Sequence, residues 1–235
     1  MSDAIRNPDD YVSVYTRDVQ LDPATTCLVV VDLMYATGSR EHGLGQNMTN
    51  EGRMHEAEYR FDRIDQFVVP NTLRLLEWAR ANDMRRVFLT YGSEVEDYSD
   101  LSPQMYDLCK ATRNRKGLRE HELLDVLGVQ PTERVINKIT PSAFTSSPIE
   151  LILRTYGATD LVFTGVSTNM CVESTLRDAS DKGFGCVMVE DATGTDAQEY
   201  HDNAILTLQR LYASVWSTDE TLAHLEARVA AGSAA

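Results

Sequence analysis

The chain has 235 residues and a formal net charge of −14, with 43% apolar and 25% charged residues. This length suits one α/β domain, and this apolar share can bury a sizeable core, which excludes wholesale disorder. The acidic balance and the lack of a Lys/Arg cluster exclude a nucleic-acid surface, and an anionic membrane is an equally poor partner. The longest apolar run, Cys27–Val31, is far shorter than the roughly 18 residues that span a bilayer.

Strand-like and helical patterns alternate along the chain. In chain order they predict a strand at Cys27–Val31, a helix from Val69, strands at Val87–Tyr91 and Val135–Asn137, a helix at Pro148–Tyr156, a strand at Leu161–Thr164, a helix at Asn169–Lys182, a strand at Cys186–Glu190, a helix at Asp196–Leu211, a strand at Ser214–Ser217 and a helix at Asp219–Val229. This alternation predicts an α/β fold: a single doubly wound, six-stranded parallel sheet with helices on both faces.

Two long segments, Leu33–Gln66 and Gly92–Arg134, interrupt the alternation. Both follow predicted strands, so both lie at the carboxyl edge of the sheet, where open α/β folds bind their ligands. We interpret them as the walls of a pocket within one domain that spans residues 1–235, with its core at about 25–220. For any one residue in them, a solvated insertion or a subunit contact is an equal alternative. Apolar residues of the first insertion favour such a contact: Met34, Leu44, Met48, Met54 and Phe61.

The cysteine pattern favours a reducing environment. Of the four cysteines, Cys27 and Cys186 lie in apolar, strand-like runs, where a free cysteine packs as a small hydrophobe. An even count allows two disulfides, but no cysteine or histidine pair has the spacing of a zinc site. We therefore expect free thiols and a cytoplasmic protein.

Three chemically distinct side chains follow the predicted strands directly. Asp32 ends the first strand, Lys138 ends the third, and Cys171 follows the fourth. In a doubly wound sheet these ends converge on one cleft. An ammonium and a helix N-terminus both lower a thiol pKa, and a carboxylate can take the thiol proton and pass it to a leaving amine. From spacing alone, each residue has an alternative role. Cys171 could be a packing residue, Asp32 a helix cap and Lys138 a solvent-facing side chain.

The stretch Gly165–Thr175 resembles the signature of the isochorismatase-like cysteine hydrolases. It reads glycine, aliphatic, small, threonine, asparagine, any residue, cysteine, valine and, four residues after the cysteine, threonine. The similarity extends to Val29–Asp32, Lys138–Phe144 and Glu190–Ala192, and it spans most of residues 25–220. The family includes nicotinamidases, N-carbamoylsarcosine amidases, ureidoacrylate amidohydrolases and biuret hydrolases. The resemblance also implies the family's fold, in which helices and a parallel sheet form Rossmann-like layers.

The resemblance implies an amidohydrolase with Cys171 as the nucleophile, Asp32 as the proton-transfer residue and Lys138 as the stabiliser of the thiolate. It also implies a cis peptide bond between Val166 and Ser167, with the backbone amides of Ser167 and Cys171 forming an oxyanion hole. The substrate would be a small amide or N-carbamoyl (ureido) compound, cleaved through a thioester without a cofactor. The assembly would be a homodimer or homotetramer.

Two alternative functions stay open. One is isochorismatase-type cleavage of a vinyl ether, which the presence of Cys171 disfavours. The other is a non-catalytic binding protein on the same fold, which the intact set of Asp32, Lys138 and Cys171 disfavours. The nicotinamidase-type Asp-x-His-x-x-His metal motif has no counterpart, because His42 and His55 stand thirteen residues apart. No metal is expected.

The substrate-binding residues are less clearly marked. The run after Asp32 departs from the family pattern, so a relative's substrate cannot be transferred to this chain. The candidates for the pocket are Tyr35, Tyr91, Phe144 and Thr168, with core packing an equal alternative for Phe144. One arginine of the first insertion could bind a substrate carboxylate, although surface positions are favoured for each: Arg40, Arg53, Arg60 and Arg63. Arg177 and Asp178 are expected to form a structural ion pair, and His201 to have a structural role.

Overall fold

The computed structural model describes residues 11–12 and 15–232 of the chain. Its six strands are β1 (Thr26–Val31), β2 (Arg85–Tyr91), β3 (Arg134–Lys138), β4 (Asp160–Val166), β5 (Gly185–Gly194) and β6 (Ser214–Trp216). They form one sheet in the order β3-β2-β1-β4-β5-β6, and all neighbouring strands are parallel. The predicted doubly wound, six-stranded parallel sheet is therefore confirmed.

The helices connect these strands. They are α1 (Tyr35–Gly38), α2 (Gly43–Asn50), α3 (Met54–Arg63), α4 (Val69–Ala81), α5 (Pro103–Ala111), α6 (Ala143–Ser146), α7 (Ile149–Thr155), α8 (Glu173–Asp181), α9 (Gln198–Leu208) and α10 (Thr218–Gly232). A π-helical turn, Ile64–Val68, joins α3 to α4, and a second one, Thr168–Val172, precedes α8. Within the described residues, no helix is both long enough and apolar enough to cross a membrane.

The core lies on both faces of the sheet because strand side chains alternate in direction. Cys27 and Val29 of β1 pack on one face with α7 and α8, and Leu28 and Val30 pack on the other face with α4 and α10. All four of these side chains are fully buried. A central parallel strand is covered on both faces, which is why its sequence is continuously apolar.

One strand is longer than its sequence indicates. β5 continues past the predicted end at Glu190 to Gly194. Its pairing with β4 shifts register between Phe163 and Gly165, after which Gly165 pairs with Thr193. The extension is polar, so its strand structure depends on backbone pairing with β4 rather than on an apolar pattern.

The two insertions are helical and follow the carboxyl ends of β1 and β2. The first contains α1, α2 and α3, and the second contains α5 and two 3-10 turns at Arg119–His121 and Asp125–Leu127. In the first insertion, Met34 and Phe61 are fully buried within the chain itself. These two side chains therefore offer nothing to another subunit, whereas Leu44, Met48 and Met54 remain partly exposed.

The neighbours of β1 determine where a ligand can enter. β1 pairs with β2 on one side and with β4 on the other. The chain therefore adds strands outward from β1 in one direction up to β3 and in the opposite direction from β4 onward, with all strands parallel. Ligands of open α/β folds bind at the carboxyl ends of the strands at such a point. Gly165, at φ +108°, allows close approach here, since a Cβ atom would lie 2.0 Å from the Val31 carbonyl oxygen. The carboxyl ends of β1 and β4 therefore meet tightly at one edge.

Candidate active site

The structure brings the three predicted catalytic side chains together. Lys138 Nζ lies 2.8 Å from Asp32 Oδ2 and 3.3 Å from Cys171 Sγ. Lys138 and Asp32 are 0% and 1% exposed, and Cys171 is 9% exposed. Lys138 comes from β3, two strands away from β1, and its Nζ lies 5.1 Å from the ring centroid of Tyr91 on the intervening β2. The length of a lysine side chain thus lets it bridge the carboxylate and the thiol.

The backbone at Asp32 turns sharply out of β1. Asp32 has φ +52°, a left-handed conformation that aspartate tolerates better than most residues. Its amide donates a hydrogen bond to the Leu89 carbonyl at 3.1 Å, and its own carbonyl accepts one from the Met34 amide at 2.9 Å. These bonds hold the turn, and the carboxylate stays beside Lys138.

Cys171 lies in the π-helical turn that follows β4, which we call the catalytic turn (Thr168–Val172). The peptide bond between Val166 and Ser167 is cis, as the family resemblance implies. The Ser167 carbonyl accepts hydrogen bonds from the amides of Met170 and Val172, at 3.0 and 3.2 Å. Ser167 therefore closes the beginning of this turn.

The threonine four residues after the cysteine has a clear structural task. Thr175 Oγ1 donates a hydrogen bond to the Cys171 carbonyl at 2.6 Å and accepts one from the Ala143 amide at 3.2 Å. One hydroxyl thus joins the catalytic turn to α6, which follows Lys138 along the chain. This contact links the cysteine motif to the motif that begins at Lys138.

A buried polar network supports the catalytic turn from behind. His201 is fully buried, with Nδ1 2.9 Å from Thr168 Oγ1 and Nε2 2.7 Å from Arg63 Nη2. A guanidinium can only donate, so Nε2 accepts and Nδ1 carries the proton that Thr168 receives. Burial, reinforced by the charge of Arg63, lowers the pKa of His201 to about 3. His201 is therefore neutral and holds Thr168 in place.

A cavity of about 490 Å³ opens beside Cys171. The first insertion contributes Thr37, Leu44 and Arg60, the second contributes Gln104, Met105 and Leu108, and the region of the catalytic turn contributes Ser167, Asn169, Met170, Cys171 and Ser174. Both insertions thus form walls around the Cys171 thiol. Much of the lining is apolar, which suits a small ligand fixed by a few polar groups.

Only one of the four candidate substrate-binding side chains lines this cavity. Tyr91 does so, and its hydroxyl donates to Thr37 Oγ1 at 3.3 Å. Tyr35 instead lies under Arg119, whose guanidinium carbon is 3.8 Å from the ring centroid. Phe144 packs against a second aromatic ring in the core, and Thr168 bonds to His201 behind the turn.

The arginines of the first insertion divide into two pairs. Arg40 and Arg53 form surface ion pairs with nearby carboxylates, as the sequence favours. Arg60 and Arg63 are only 4% and 6% exposed, so the expectation of surface positions is wrong for these two. Arg63 belongs to the His201 network, whereas Arg60 lines the cavity.

A sequence signal for the burial of Arg60 does exist. Ala57, Phe61 and Ile64 recur at helical spacing and are buried, which identifies the inward face of α3. Arg60 lies three residues after Ala57, so it falls on that face. A charged residue on an apolar helix face is a stronger functional signal than its residue type alone indicates.

Burial dominates the electrostatics of the catalytic group. It raises the pKa of the Cys171 thiol to about 12, although the Lys138 ammonium opposes this shift. Burial also raises the pKa of Asp32, again against the effect of Lys138. Burial disfavours the charge on Lys138, but Asp32 and Cys171 outweigh it and raise the pKa of this lysine. Lys138 therefore lowers the pKa of the Cys171 thiol, as the sequence predicts, but burial has the larger effect and the net shift is upward.

The remaining three cysteines are buried away from the cavity. Cys27, Cys109 and Cys186 are all free thiols, are at most 2% exposed and do not line the cavity. Burial raises the pKa of each of them. Cys171 is therefore the thiol that an alkylating reagent in the cavity reaches first.

The expected ion pair between Arg177 and Asp178 is wrong. Arg177 does not pair with Asp178: it binds Glu173, at 2.7 Å between Nη2 and Oε1. Asp178 instead accepts a hydrogen bond from the Ser142 hydroxyl at 2.5 Å. Among the described residues, no group of three or more His, Cys, Asp or Glu side chains is placed to hold a metal ion.

Comparison with known proteins places this chain in a family. A family model described as the isochorismatase domain matches residues 47–220. The chain therefore belongs to the isochorismatase family. It is 31% identical to the ureidoacrylate amidohydrolase RutB of Pseudomonas syringae pv. syringae (strain B728a), over 86% of this chain and 84% of that protein. It is 30% identical to the ureidoacrylate amidohydrolase RutB of Methylobacterium radiotolerans, over 86% of this chain and 79% of that protein.

Solved structures show the same fold. A cysteine hydrolase from Pseudomonas syringae pv. phaseolicola 1448A superposes with a TM-score of 0.73 at 18% identity. The alignment covers 90% of this chain and 97% of that one. At this identity the likeness concerns the fold alone, and it confirms the isochorismatase-like arrangement expected from the sequence.

Proposed function

We propose that this chain is a cysteine-dependent amidohydrolase that cleaves a small amide or N-carbamoyl compound through a thioester. The contact of Lys138 with both Asp32 and Cys171, at the wall of a cavity, is the observation that carries the proposal. The enzyme class, a hydrolase of carbon–nitrogen amide bonds, is supported by the amidohydrolases to which the chain is similar. No cofactor is part of the proposal.

The first half-reaction forms the thioester. Asp32 Oδ1 is buried without a hydrogen-bond partner among the described residues, and the carboxylate is close enough to Cys171 to influence its pKa. Asp32 takes the thiol proton, and Cys171 Sγ attacks the substrate carbonyl carbon. Lys138 stabilises the sulfur anion as it forms, and the amides of Ser167 and Cys171 receive the oxyanion. The carbon–nitrogen bond then breaks, and Asp32 returns its proton to the leaving ammonia or amine.

The second half-reaction releases the acid. Asp32 takes a proton from a water molecule, which attacks the thioester carbonyl carbon. The carbon–sulfur bond breaks, and Asp32 returns the proton to the Cys171 sulfur, which restores both groups. An amide substrate yields a carboxylic acid. A ureido substrate yields a carbamic acid, which loses carbon dioxide and leaves a second amine.

An ammonia-release screen over small primary amides and ureido acids tests this function. The wild type should release ammonia from at least one of them, and Cys171→Ser should not. Mass spectra of the protein quenched during turnover should show an acyl adduct, and peptide mapping should locate it on Cys171. A wild type that releases no ammonia but cleaves a vinyl ether would favour the isochorismatase-type reaction, and binding without any turnover would favour the non-catalytic alternative.

The assembly and location stay proposals. The family resemblance favours a homodimer or homotetramer, and the partly exposed Leu44, Met48 and Met54 supply apolar surface for it. Light scattering that gave a monomer mass at micromolar concentration would contradict this assembly. A cytoplasmic location is consistent with four free cysteines.

A further inference from the structure

Arg63 is a buried cation that is anchored on the end of β5, residues 190–194. Its Nε donates a hydrogen bond to the Thr193 carbonyl at 2.9 Å, and its Nη2 donates one to the Glu190 carbonyl at 3.0 Å. Gly194 packs closely against this side chain, since a Cβ atom there would lie 3.3 Å from Arg63 Cδ. The carbonyls of a paired strand cannot turn away as side chains can, so the guanidinium has a fixed position.

The imidazole of His201 connects this guanidinium to the catalytic turn. Its Nε2 accepts a hydrogen bond from Arg63 Nη2 at 2.7 Å, and its Nδ1 donates one to Thr168 Oγ1 at 2.9 Å. The ring is rigid and fully buried, so these two hydrogen bonds fix its orientation. Neither Arg63 nor His201 is among the described residues that line the cavity, so they act behind the catalytic turn and not on a ligand in the cavity.

Thr168 lies between the two residues whose amides form the proposed oxyanion hole. Ser167 precedes it directly, and Cys171 follows three residues later in the catalytic turn. The next side chain is also held from β5, since Asn169 Oδ1 accepts a hydrogen bond at 2.6 Å from the hydroxyl of Thr195, which follows that strand. Two consecutive side chains of the catalytic turn are therefore fixed by β5 and the residues bound to it.

Packing alone does not account for this chain of polar groups. Burial of an arginine costs free energy, and an apolar side chain of similar size would fill the same space without that cost. Hydrogen bonds, unlike apolar contacts, depend on direction, so they suit a site whose amides must point at one oxygen atom. A displacement of about 1 Å in such a site can slow a reaction about 100-fold.

We propose that Arg63 and His201 are positioning residues, which hold Thr168 and thereby direct the two oxyanion-hole amides at the developing oxyanion. Both act through Thr168, and neither touches the substrate. The end of β5 then contributes to catalysis, because its carbonyls fix the position of Arg63. This inference rests on the proposed amidohydrolase function, since that reaction forms the oxyanion.

Steady-state kinetics on the best substrate of the ammonia-release screen test the positioning role. His201→Leu should lower kcat about 10- to 100-fold with little change in KM, because ground-state binding does not form the oxyanion. His201→Gln keeps one donor and one acceptor, so it should retain more of kcat. The loss in Thr168→Val should not add to the loss in His201→Leu, since both break the same chain of hydrogen bonds. The matched control is His224→Leu, at an α10 histidine that stacks on Trp216, and it should change neither constant.

Two kinetic results would overturn the proposal. An unchanged kcat in His201→Leu would mean that the oxyanion hole does not depend on this histidine. Fully additive losses in His201→Leu and Thr168→Val would mean that the two side chains act independently.

A small aldehyde separates this inference from the proposed function. The Cys171 sulfur forms a bond to the carbonyl carbon of propanal, the thiol proton passes to the carbonyl oxygen, and that oxygen occupies the oxyanion hole. Propanal should therefore protect Cys171 from iodoacetamide. His201→Leu should weaken this protection about tenfold, the effect of one lost hydrogen bond, while the alkylation rate without aldehyde stays unchanged.

Each outcome of the aldehyde experiment decides one of the two claims. If no amide is hydrolysed but the protection pattern holds, the positioning role stands and the amidohydrolase function fails. If amides are hydrolysed but propanal protects His201→Leu as well as it protects the wild type, the positioning role is wrong. The same conclusion follows if propanal does not protect the wild type. Thr168→Val, which loses only a hydroxyl group, should reproduce the pattern even if His201→Leu folds poorly.

Discussion

Replacement of Lys138 by methionine removes the ammonium from the catalytic group and keeps the length of the side chain. A unit charge 3.3 Å from the sulfur is worth about 5 kcal/mol at an effective dielectric constant of about 20. Asp32, paired with the same ammonium at 2.8 Å, cancels much of this effect. The pKa of Cys171 should therefore rise by about one to two on the pH scale, equal to about 1.4 to 2.7 kcal/mol.

The direction of this change follows from the contacts. Without Lys138, the buried Asp32 carboxyl loses its counterion and becomes protonated. The negative charge of Asp32 raises the thiol pKa, so its loss works against the loss of Lys138. The lowering by Lys138 is the larger of these two charge effects on the thiol. The loss of both therefore still raises the pKa of Cys171, and a protonated Asp32 can no longer accept the thiol proton.

The rate of alkylation measures the effect directly. Iodoacetamide reacts with the thiolate, so at any pH below the thiol pKa, raising that pKa by one slows the modification of Cys171 about tenfold. The modified Cys171 peptide would be quantified by mass spectrometry for the wild type and Lys138→Met across a pH series. Lys182→Met, which removes a partly exposed lysine paired with Glu150, is the matched control and should leave the curve unchanged.

Two outcomes would refute the reasoning. An unchanged alkylation curve for Lys138→Met would mean that the lysine does not stabilise the thiolate. Faster alkylation would mean that Asp32, not Lys138, dominates the thiol pKa. Circular dichroism must accompany both measurements, because breaking a buried ion pair costs about 3 to 5 kcal/mol of folding stability.

Three further predictions concern the nucleophile, metal ions and stability. Cys171→Ala should abolish ammonia release with an unchanged circular dichroism spectrum, while Cys109→Ala should stay active; normal turnover in both would exclude covalent catalysis by Cys171. Activity should survive exhaustive chelation and vanish with a thiol reagent, and its restoration by zinc after chelation would overturn the mechanism. The unfolded chain protonates His201 near pH 6.5 but the folded chain only near pH 3. Stability should therefore fall as the pH drops through this window, by at most about 4 to 5 kcal/mol; urea unfolding of His201→Gln should show a smaller fall, and equal falls would contradict this.

The family, the sheet and the meeting of Asp32, Lys138 and Cys171 could be predicted because their signals are local. Buried parallel strands are continuously apolar, so β1 and β4 are visible in the sequence within a few residues of their ends. The cysteine motif is contiguous, since the catalytic turn must place Cys171 and Thr175 at a set spacing to form the hydrogen bond between them. The local sequence pattern does not predict the last residues of β5. They are polar and form a strand only because β4 lies beside them.

Only the tertiary structure determined which side chains surround Cys171. Arg60 and Asp196 are 136 residues apart in the chain, and no spacing rule relates them, yet their side chains meet at the cavity wall. The same holds for Arg63 and His201, which are 138 residues apart. The sequence motifs predict the charges near Cys171, but they do not predict the rise in its thiol pKa, because loss of water depends on every side chain packed around the sulfur. Chemical identity is local in the chain, but burial is a property of the whole packed fold.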